Sequence, residues 1–161
     1  MKKIRVVLLI FVLSTVCGCV SLNPTQVTRH SSMTGYKYVY ITPTASRTSV
    51  SGGVYNGWGY TSSLSADPAT IISGHFIKRG FIRVPSVKPE IESETIVVNY
   101  SETGRRPNGL GSSLEVTIQL LSAKTNQVIC VAIGEGYGET EADDINNAID
   151  RCMTEIFRNK Y

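Results

Sequence analysis

The feature that most constrains the fold is an alternating segment in the second half of the chain, residues 113–136, with the sequence SLEVTIQLLSAKTNQVICVAIGEG. Every second residue from Leu114 to Leu120 is apolar and the residues between them are polar, which predicts a strand with one buried and one solvent-facing side. Asn126 lies in a polar turn and tolerates a left-handed conformation. The return run, residues 128–133, is apolar on both sides and indicates a central strand. The segment therefore predicts a β-hairpin within a larger sheet.

A helix follows this hairpin in residues 139–161, ETEADDINNAIDRCMTEIFRNKY. Thr140, followed three residues later by Asp143, is close to a capping box and marks the start of the helix. Apolar residues recur at helical spacing and form a stripe that should face the core: Ile145, Ala148, Ile149, Cys152 and Ile156. We therefore expect this helix to cover the preceding hairpin.

One cysteine is expected on each side of that interface. Cys152 belongs to the apolar stripe of the helix, and Cys130 belongs to the strand that the helix should cover. Two alternatives stay open: a Cys130–Cys152 disulfide, which a compartment outside the cytoplasm permits, or two buried free thiols.

The first half of the chain contains one clear helix signal. Asp67 is a good N-cap, Pro68 suits the first helical position, and apolar residues follow at helical spacing. Gly80 can end the helix in a left-handed conformation. The pattern predicts a helix that begins after Asp67.

Strand signals surround this helix. Residues 36–43 and 92–102 are rich in β-branched and aromatic residues, and residues 81–86 fit a short strand. Residues 104–112, GRRPNGLGS, predict a loop because of their proline, asparagine and glycines. The order of elements predicts an α+β fold: a two-layer sandwich of a mostly antiparallel or mixed sheet with two helices packed on one face.

The N-terminus has the pattern of a secretion signal. MKKIR is positively charged, and the apolar run after it, VVLLIFVLSTV, is too short for a stable membrane-spanning helix. VCGC, residues 16–19, resembles a lipobox, the processing motif of bacterial lipoproteins. The resemblance implies removal of residues 1–18 as a signal peptide and lipidation of Cys19. Cys17 fits the acceptor position less well because Val16 precedes it. The alternatives are a signal peptide without lipid or a buried strand.

The rest of the chain divides into two parts. Residues 19–35 are polar and lack periodicity, which predicts a lipidated flexible tether. Residues 36–161 are expected to form a single α+β domain. Removal of the signal peptide takes away Lys2, Lys3 and Arg5 and leaves 13 basic residues against 13 acidic ones. A neutral chain has no long-range field that attracts nucleic acid, so no nucleic-acid partner is predicted.

The histidines and carboxylates do not form a catalytic or metal-binding motif. A nucleophile needs a neighbouring base, but His30 falls in the tether and His75 on a helix flank. The alternating Glu90, Glu92 and Glu94 are expected on the solvent face of a strand because like charges at that spacing repel. The acidic run ETEADD lacks the spacing of a calcium loop and suits a helix N-terminus. We predict that the chain is not an enzyme and uses no metal or cofactor.

A glycine-rich segment, residues 52–60, carries aromatic side chains on a flexible backbone: Tyr55, Trp58 and Tyr60. Such residues make an adaptable contact surface in binding proteins, and they can equally pack back onto their own domain. We predict a partner-contact loop here, and the alternative is a short irregular strand.

Several runs resemble a family of small bacterial envelope lipoproteins of unknown function. The runs are FIKRGF at 76–81, TIVVNY at 95–100, the hairpin at 114–136 and INNAIDRCMTEIF at 145–157. The layout is also similar to the N-terminal domain of the Tol-system propeller protein, and to lipoproteins that activate peptidoglycan synthases or assist curli secretion. Ile129-Cys130 and Asn126 depart from the family pattern, which often has a tryptophan after the turn and a glycine within it. The resemblance implies the fold and an envelope location, and it carries no catalytic residue.

These observations predict a lipid-anchored lipoprotein of the bacterial envelope that acts as a non-catalytic binding or scaffolding module. The partners expected are the membrane, through the lipid, and an envelope protein. Val20 after Cys19 lacks the aspartate that favours retention at the inner membrane, which implies the outer membrane, facing the periplasm. The alternatives are a lipid or glycan carrier with an apolar cavity, and a hydrolase of envelope polymers. The oligomeric state stays open.

Overall fold

The computed structural model describes the backbone of residues 21–55, 58–109 and 111–158, and the side chains of these residues outside 51–62. The strands are β1 Gln26–Arg29, β2 Tyr38–Ile41, β3 Arg47–Tyr55, β4 Trp58–Ala66, β5 Ile82–Arg83, β6 Thr95–Asn108, β7 Gly111–Ser122 and β8 Val128–Gly136. The helices are α1 Pro68–Ile77 and α2 Glu141–Arg158, with a 3₁₀ helix at Pro89–Glu94. The predicted α+β class is confirmed.

The main sheet is mixed and has six strands in the order β1-β8-β7-β6-β2-β5. β6, β7 and β8 form an antiparallel meander, whereas β2 pairs in parallel with both β6 and β5. β8 has a neighbour on each side, as its apolar sequence predicted. Asn126, in the turn before β8, has the expected left-handed backbone, with φ of 54°. Among the described strands, β3 and β4 pair only with each other and form a separate two-stranded sheet.

β1 corrects the prediction of a flexible tether. Gln26 pairs with Ile133 and Arg29 pairs with Cys130, so residues 26–29 form an antiparallel edge strand on β8. Val27 also packs against the core. The free backbone edge of β8 supplies hydrogen bonds to any extended segment, and four residues are too few for a periodic signal. The ordered domain therefore begins well before residue 36.

Two further predictions are wrong, one for the region between β6 and β7 and one for the segment before β6. Residues 104–108 and 111–112, expected in a loop, extend β6 and β7 with continuous pairing after a bulge at Glu102/Gly104. Glu90, Glu92 and Glu94 lie in the 3₁₀ helix rather than on a strand. The strands extend up to the turn despite the turn preference of Pro107 and Gly109, because each added cross-strand residue pair stabilises the hairpin.

Both helices pack against the sheet, and their starts agree with the sequence. The Asp67 side chain accepts a hydrogen bond from the Ala69 backbone at 3.2 Å, and Gly80 has the left-handed φ of 85°. Thr140 and Asp143 form a reciprocal capping box, with N–O distances of 3.1 and 3.2 Å. The predicted stripe of α2 is fully buried: Ile145, Ala148, Ile149, Cys152 and Ile156.

The free thiols of Cys130 and Cys152 are buried in the core. Cys152 packs against Gly134, where an added Cβ would lie 2.7 Å from Sγ. Gly134 is four residues along β8 from Cys130, about 13 Å in an extended strand. A disulfide needs Cα atoms within about 7 Å, so the register of α2 on β8 separates the two thiols.

We expect the native protein to have the same intact mass with and without a reductant. Burial raises the pKa of the Cys152 thiol to about 12 and also raises that of Cys130. Because the thiolate is the reactive form, alkylation by iodoacetamide at pH 8 should be slow until urea unfolds the chain. A mass increase of two protons per molecule on reduction would contradict the prediction.

Within the described residues, no helix is both long and apolar enough to cross a membrane.

Candidate functional site

The centre of the site is the buried carboxylate of Glu135, near the end of β8. Only 4% of the Glu135 side chain is exposed. Arg106 donates to both carboxylate oxygens, from Nε at 3.1 Å and from Nη2 at 2.7 Å. Asn23 adds two more donors, its backbone N–H at 2.9 Å and its side-chain amide at 2.7 Å. The hydrogen bonds, led by that from Arg106, outweigh burial and hold the pKa of Glu135 below its usual 4.5.

The same residues bind the backbone of the N-terminal segment. Arg106 Nη2 and the Asn108 side-chain amide both donate to the Ser21 carbonyl, each at 2.9 Å. Arg151, on α2, donates to the Glu135 carbonyl at 2.6 Å and to the Asn23 carbonyl at 2.8 Å. We call these five residues the N-terminal clamp: Asn23, Arg106, Asn108, Glu135 and Arg151.

The sheet topology explains why the clamp assembles. β6 and β8 both run antiparallel to β7, so they point in the same direction. Their C-terminal ends therefore lie at the same end of the sheet. This end, where β6 ends at Asn108, β7 begins at Gly111 and β8 ends at Gly136, is called the clamp end. Arg106 and Glu135 lie near the ends of their strands, with β7 between them. Planar guanidinium and carboxylate groups pair well in the two-pronged geometry observed.

Sequence reasoning missed the clamp. Arg105 and Arg106 fit a solvated face, and Glu135 belongs to a glycine-flanked strand end without a motif. One signal was available, because a carboxylate that follows a strand apolar on both sides is expected to be buried and to need a partner. Which cation would serve as that partner depended on the topology.

Some of the predicted site residues lie outside the described part of the chain. Cys19 lies outside the described residues. Tyr55, Trp58 and Tyr60 belong to strands rather than to a loop, because Tyr55 pairs with Trp58 and Gly53 pairs with Tyr60. Their side chains lie outside the described part of the chain.

We call the β3–β4 ribbon, residues 47–66, the β arm. Arg47 forms an ion pair with Glu102 at 3.8 Å, and Ala66 is buried at the base of the arm. The Ser49 hydroxyl accepts a hydrogen bond from the Ala142 backbone at 3.0 Å, at the start of α2. Among the described residues, the arm contacts the rest of the domain chiefly through α2. The base of the arm is therefore attached at the N-terminal end of this helix.

Three further residues considered as candidates have structural partners. His75 Nε2 lies 2.7 Å from Asp150 Oδ1 and links α1 to α2. Glu141 pairs with Arg105 at 2.7 Å. Asp144 accepts from the Gly138 backbone at 2.6 Å, while burial raises its pKa. In the described ranges, histidine, cysteine and carboxylate side chains form no group of three that could hold a metal ion.

Two grooves lie on the surface of the described part of the domain. The groove between the start of β1 and α2 has a volume of about 480 Å³ and is lined by polar and apolar residues, among them Pro24, Asp150 and Arg151. Another, of about 450 Å³, lies beside Thr44, Arg47 and Tyr100 at the base of the β arm. The space between the sheet and the helices is filled by a continuous cluster of buried side chains, with Phe76 packed edge-on against Phe81 and Phe157.

No protein-family model and no curated protein matches the chain. Among solved structures, the fold is similar to PelC from Paraburkholderia phytofirmans, crystallised as a dodecamer in two forms. One form, of a variant with a single substitution, has 12% identity and a TM-score of 0.45, covering 84% of this chain and 96% of that one. The second form has 12% identity and a TM-score of 0.44, covering 83% and 94%.

A PDZ domain protein from Parabacteroides distasonis is also similar, with 8% identity and a TM-score of 0.49 over 88% of this chain. This chain spans 37% of the length of that protein. At these identities the comparisons assign no role to any residue of the chain.

Proposed function

We propose that the protein is a lipid-anchored, non-catalytic binding or scaffolding module of the bacterial envelope, with its domain held close to the membrane. The observation that carries the proposal is the position of Ser21, whose carbonyl is bound by Arg106 and Asn108. Ser21 follows the proposed lipid acceptor, Cys19, by two residues.

The short connection limits how far the domain can move from its anchor. Two residues span about 7 Å at full extension, so Cys19 lies within that distance of the Cα atom of Ser21. Each buried methylene of an acyl chain contributes about 0.8 kcal/mol, and two or three chains make release slow. The bilayer surface is therefore proposed to lie at the clamp end of the sheet, and the domain presents its other surfaces to the periplasm.

The state of the polar side chains supports binding over catalysis. His75 is engaged in a bridge between the helices, and Glu135 is saturated with hydrogen bonds from Arg106 and Asn23. A carrier needs an apolar cavity, whereas the interface between sheet and helices is occupied by packed side chains. We therefore favour an accessory role with an envelope protein as partner. The outer membrane is the proposed location because Val20 follows Cys19.

Mass spectrometry of the protein from bacterial membranes tests the anchor. The expected N-terminus is Cys19 carrying a diacylglycerol thioether. Cys19→Ser should leave unprocessed or soluble protein, whereas the matched control Cys17→Ser should be processed and membrane-bound like the wild type. An N-terminus elsewhere, or one without lipid, would contradict the proposal.

Crosslinking in living cells tests the accessory role. Capture of the full-length protein at native expression should return one envelope complex, and the Cys19→Ser variant should lose it. If the wild-type protein returns no partner under these conditions, the scaffolding role is wrong even when the lipid is present.

A further inference from the structure

We propose that the β arm contacts the same bilayer as the lipid anchor, with its outer end seated among the lipid headgroups. This inference rests on the proposed anchor at Cys19 and adds a second, protein-mediated membrane contact. Three observations carry it: the direction of the arm, its reach and its composition.

The arm points toward the clamp end. Its base begins at Arg47, beside Glu102 in the middle of β6. Two residues later, Ser49 is bonded to Ala142, whose neighbour Glu141 pairs with Arg105, closer to the end of β6. The arm therefore advances in the same direction as β6, which ends at the clamp.

The arm is long enough to extend beyond the domain. After Ser49 the ribbon continues for six residue pairs, from Val50 with Ser63 to Tyr55 with Trp58. Six residues in a strand span about 20 Å. Ser21, bound by Asn108 at the clamp end, and the outer half of the arm are thus placed on the same side of the molecule.

The composition of the arm suits a membrane interface. Residues 48–66 contain no charged side chain. Val50 and Leu64 are 67% and 41% exposed, although both are apolar. The sequence toward the turn carries Tyr55, Trp58 and Tyr60, residue types that favour the headgroup region because they combine an apolar ring with a polar group.

The unpaired backbone groups of the arm limit how deeply it can enter the bilayer. A two-stranded ribbon is marginally stable alone in water, and its outer edges carry unpaired N–H and C=O groups. These groups cannot enter the hydrocarbon core without a large cost, whereas hydrated headgroups can satisfy them. The interface is therefore the part of the bilayer that fits the arm.

Trp58 is the single tryptophan of the chain, so its fluorescence reports on the arm without any label. The mature lipidated protein, beginning at Cys19, is reconstituted in vesicles of phosphatidylethanolamine and phosphatidylglycerol. We expect the emission of Trp58 to shift to shorter wavelength and to be quenched by lipids brominated near the headgroup. The reference is the soluble Cys19→Ser protein, measured in buffer without lipid or detergent. If the emission of the reconstituted protein equals that of this reference, the proposal is wrong.

A matched control places the reporter at the opposite end of the sheet. Lys124 is exposed in the turn between β7 and β8. In the double variant Trp58→Phe, Lys124→Trp, brominated lipids should leave the emission unchanged. Equal quenching of both reporters would overturn the proposal, because it would mean that the domain has no fixed orientation.

A second variant tests the chemistry. Tyr55→Ser with Tyr60→Ser keeps the reporter and should reduce its quenching, while flotation with vesicles stays complete. Flotation separates the two proposals. Loss of flotation in the wild type contradicts the anchor, whereas full flotation with unquenched Trp58 contradicts only the arm contact. A blue shift that depends on protein concentration, without quenching by bromine, would assign the arm to a second copy of the chain and overturn the membrane contact.

Discussion

Replacing Gly136 with alanine is expected to destabilise the domain by about 3 kcal/mol. A Cβ atom there would overlap the Asp144 carbonyl oxygen and lie 2.5 Å from the Ala148 backbone nitrogen and 2.9 Å from its Cβ. These atoms belong to the first turns of α2, and β8 is held in place by β7 on one side and β1 on the other. Since the atoms that would clash are backbone atoms and the Cβ of Ala148, which cannot rotate out of the way, the helix must move away from the sheet.

Urea unfolding at pH 7 measures this effect. Gly104→Ala is the matched control, because it also lies in a strand and has no atom within 4 Å of the added Cβ. We expect the control to change the free energy of unfolding by less than about 0.5 kcal/mol. Equal effects of the two substitutions would show that close contact between α2 and β8 is not what requires glycine at position 136.

Replacing Glu135 with glutamine is expected to cost about 2 kcal/mol at pH 7, in the range measured for hydrogen bonds to charged groups. The glutamine amide presents two hydrogens where Arg106 and Asn23 now donate, so two donors lose their acceptor. Glu94→Gln serves as the control. Glu94 pairs only at the surface with Lys37, at 3.0 Å, and an exposed pair of this kind contributes little.

The difference between wild type and Glu135→Gln should depend on pH. The pKa of Glu135 in the folded state lies below its usual 4.5, so the folded protein binds the proton less well than the unfolded chain. The stabilisation is therefore complete above about pH 5 and is lost as the pH falls through the folded-state pKa. Urea unfolding at pH 7, 5, 4 and 3 should show the two proteins converging toward low pH. A constant difference would contradict the assigned role of the carboxylate.

The clamp and the base of the β arm are both bonded to α2. Residues 21–23 are held by hydrogen bonds from β6 and α2, and the arm is attached to the start of α2. Glu135→Gln should weaken the clamp only in part, because Arg106, Asn108 and Arg151 donate to the Ser21 and Asn23 carbonyls without using the Glu135 carboxylate. β1 makes the N-terminal segment part of the main sheet.

The sequence was informative wherever the structure is set by local pattern. Alternation over residues 114–120 located β7, and the apolar stripe of α2 located its buried face. The Asp67 cap and the Thr140–Asp143 box were readable because each depends on residues within four positions. These features also sufficed for the α+β class.

Predictions failed where pairing partners are distant in sequence. Residues 26–29 became a strand because β8, about a hundred residues later, had an unoccupied edge. Residues 104–108 and 111–112 are extended because β6 and β7 continue to pair with each other beyond the bulge. Continued cross-strand pairing contributes more to stability than the local turn preference of these residues, so the loop predicted from composition does not form.

By itself, the sequence determined the hairpin and helix of the core and the absence of charge along the β arm beyond Arg47, because each is a property of neighbouring residues. Only the tertiary structure decided that Arg106, Glu135 and Asn23 form one hydrogen-bonded group, that the thiols lie apart, and that the base of the arm is bonded to the start of α2. The reason is that strand order and register set distances between residues far apart in the chain, and no short-range pattern encodes them.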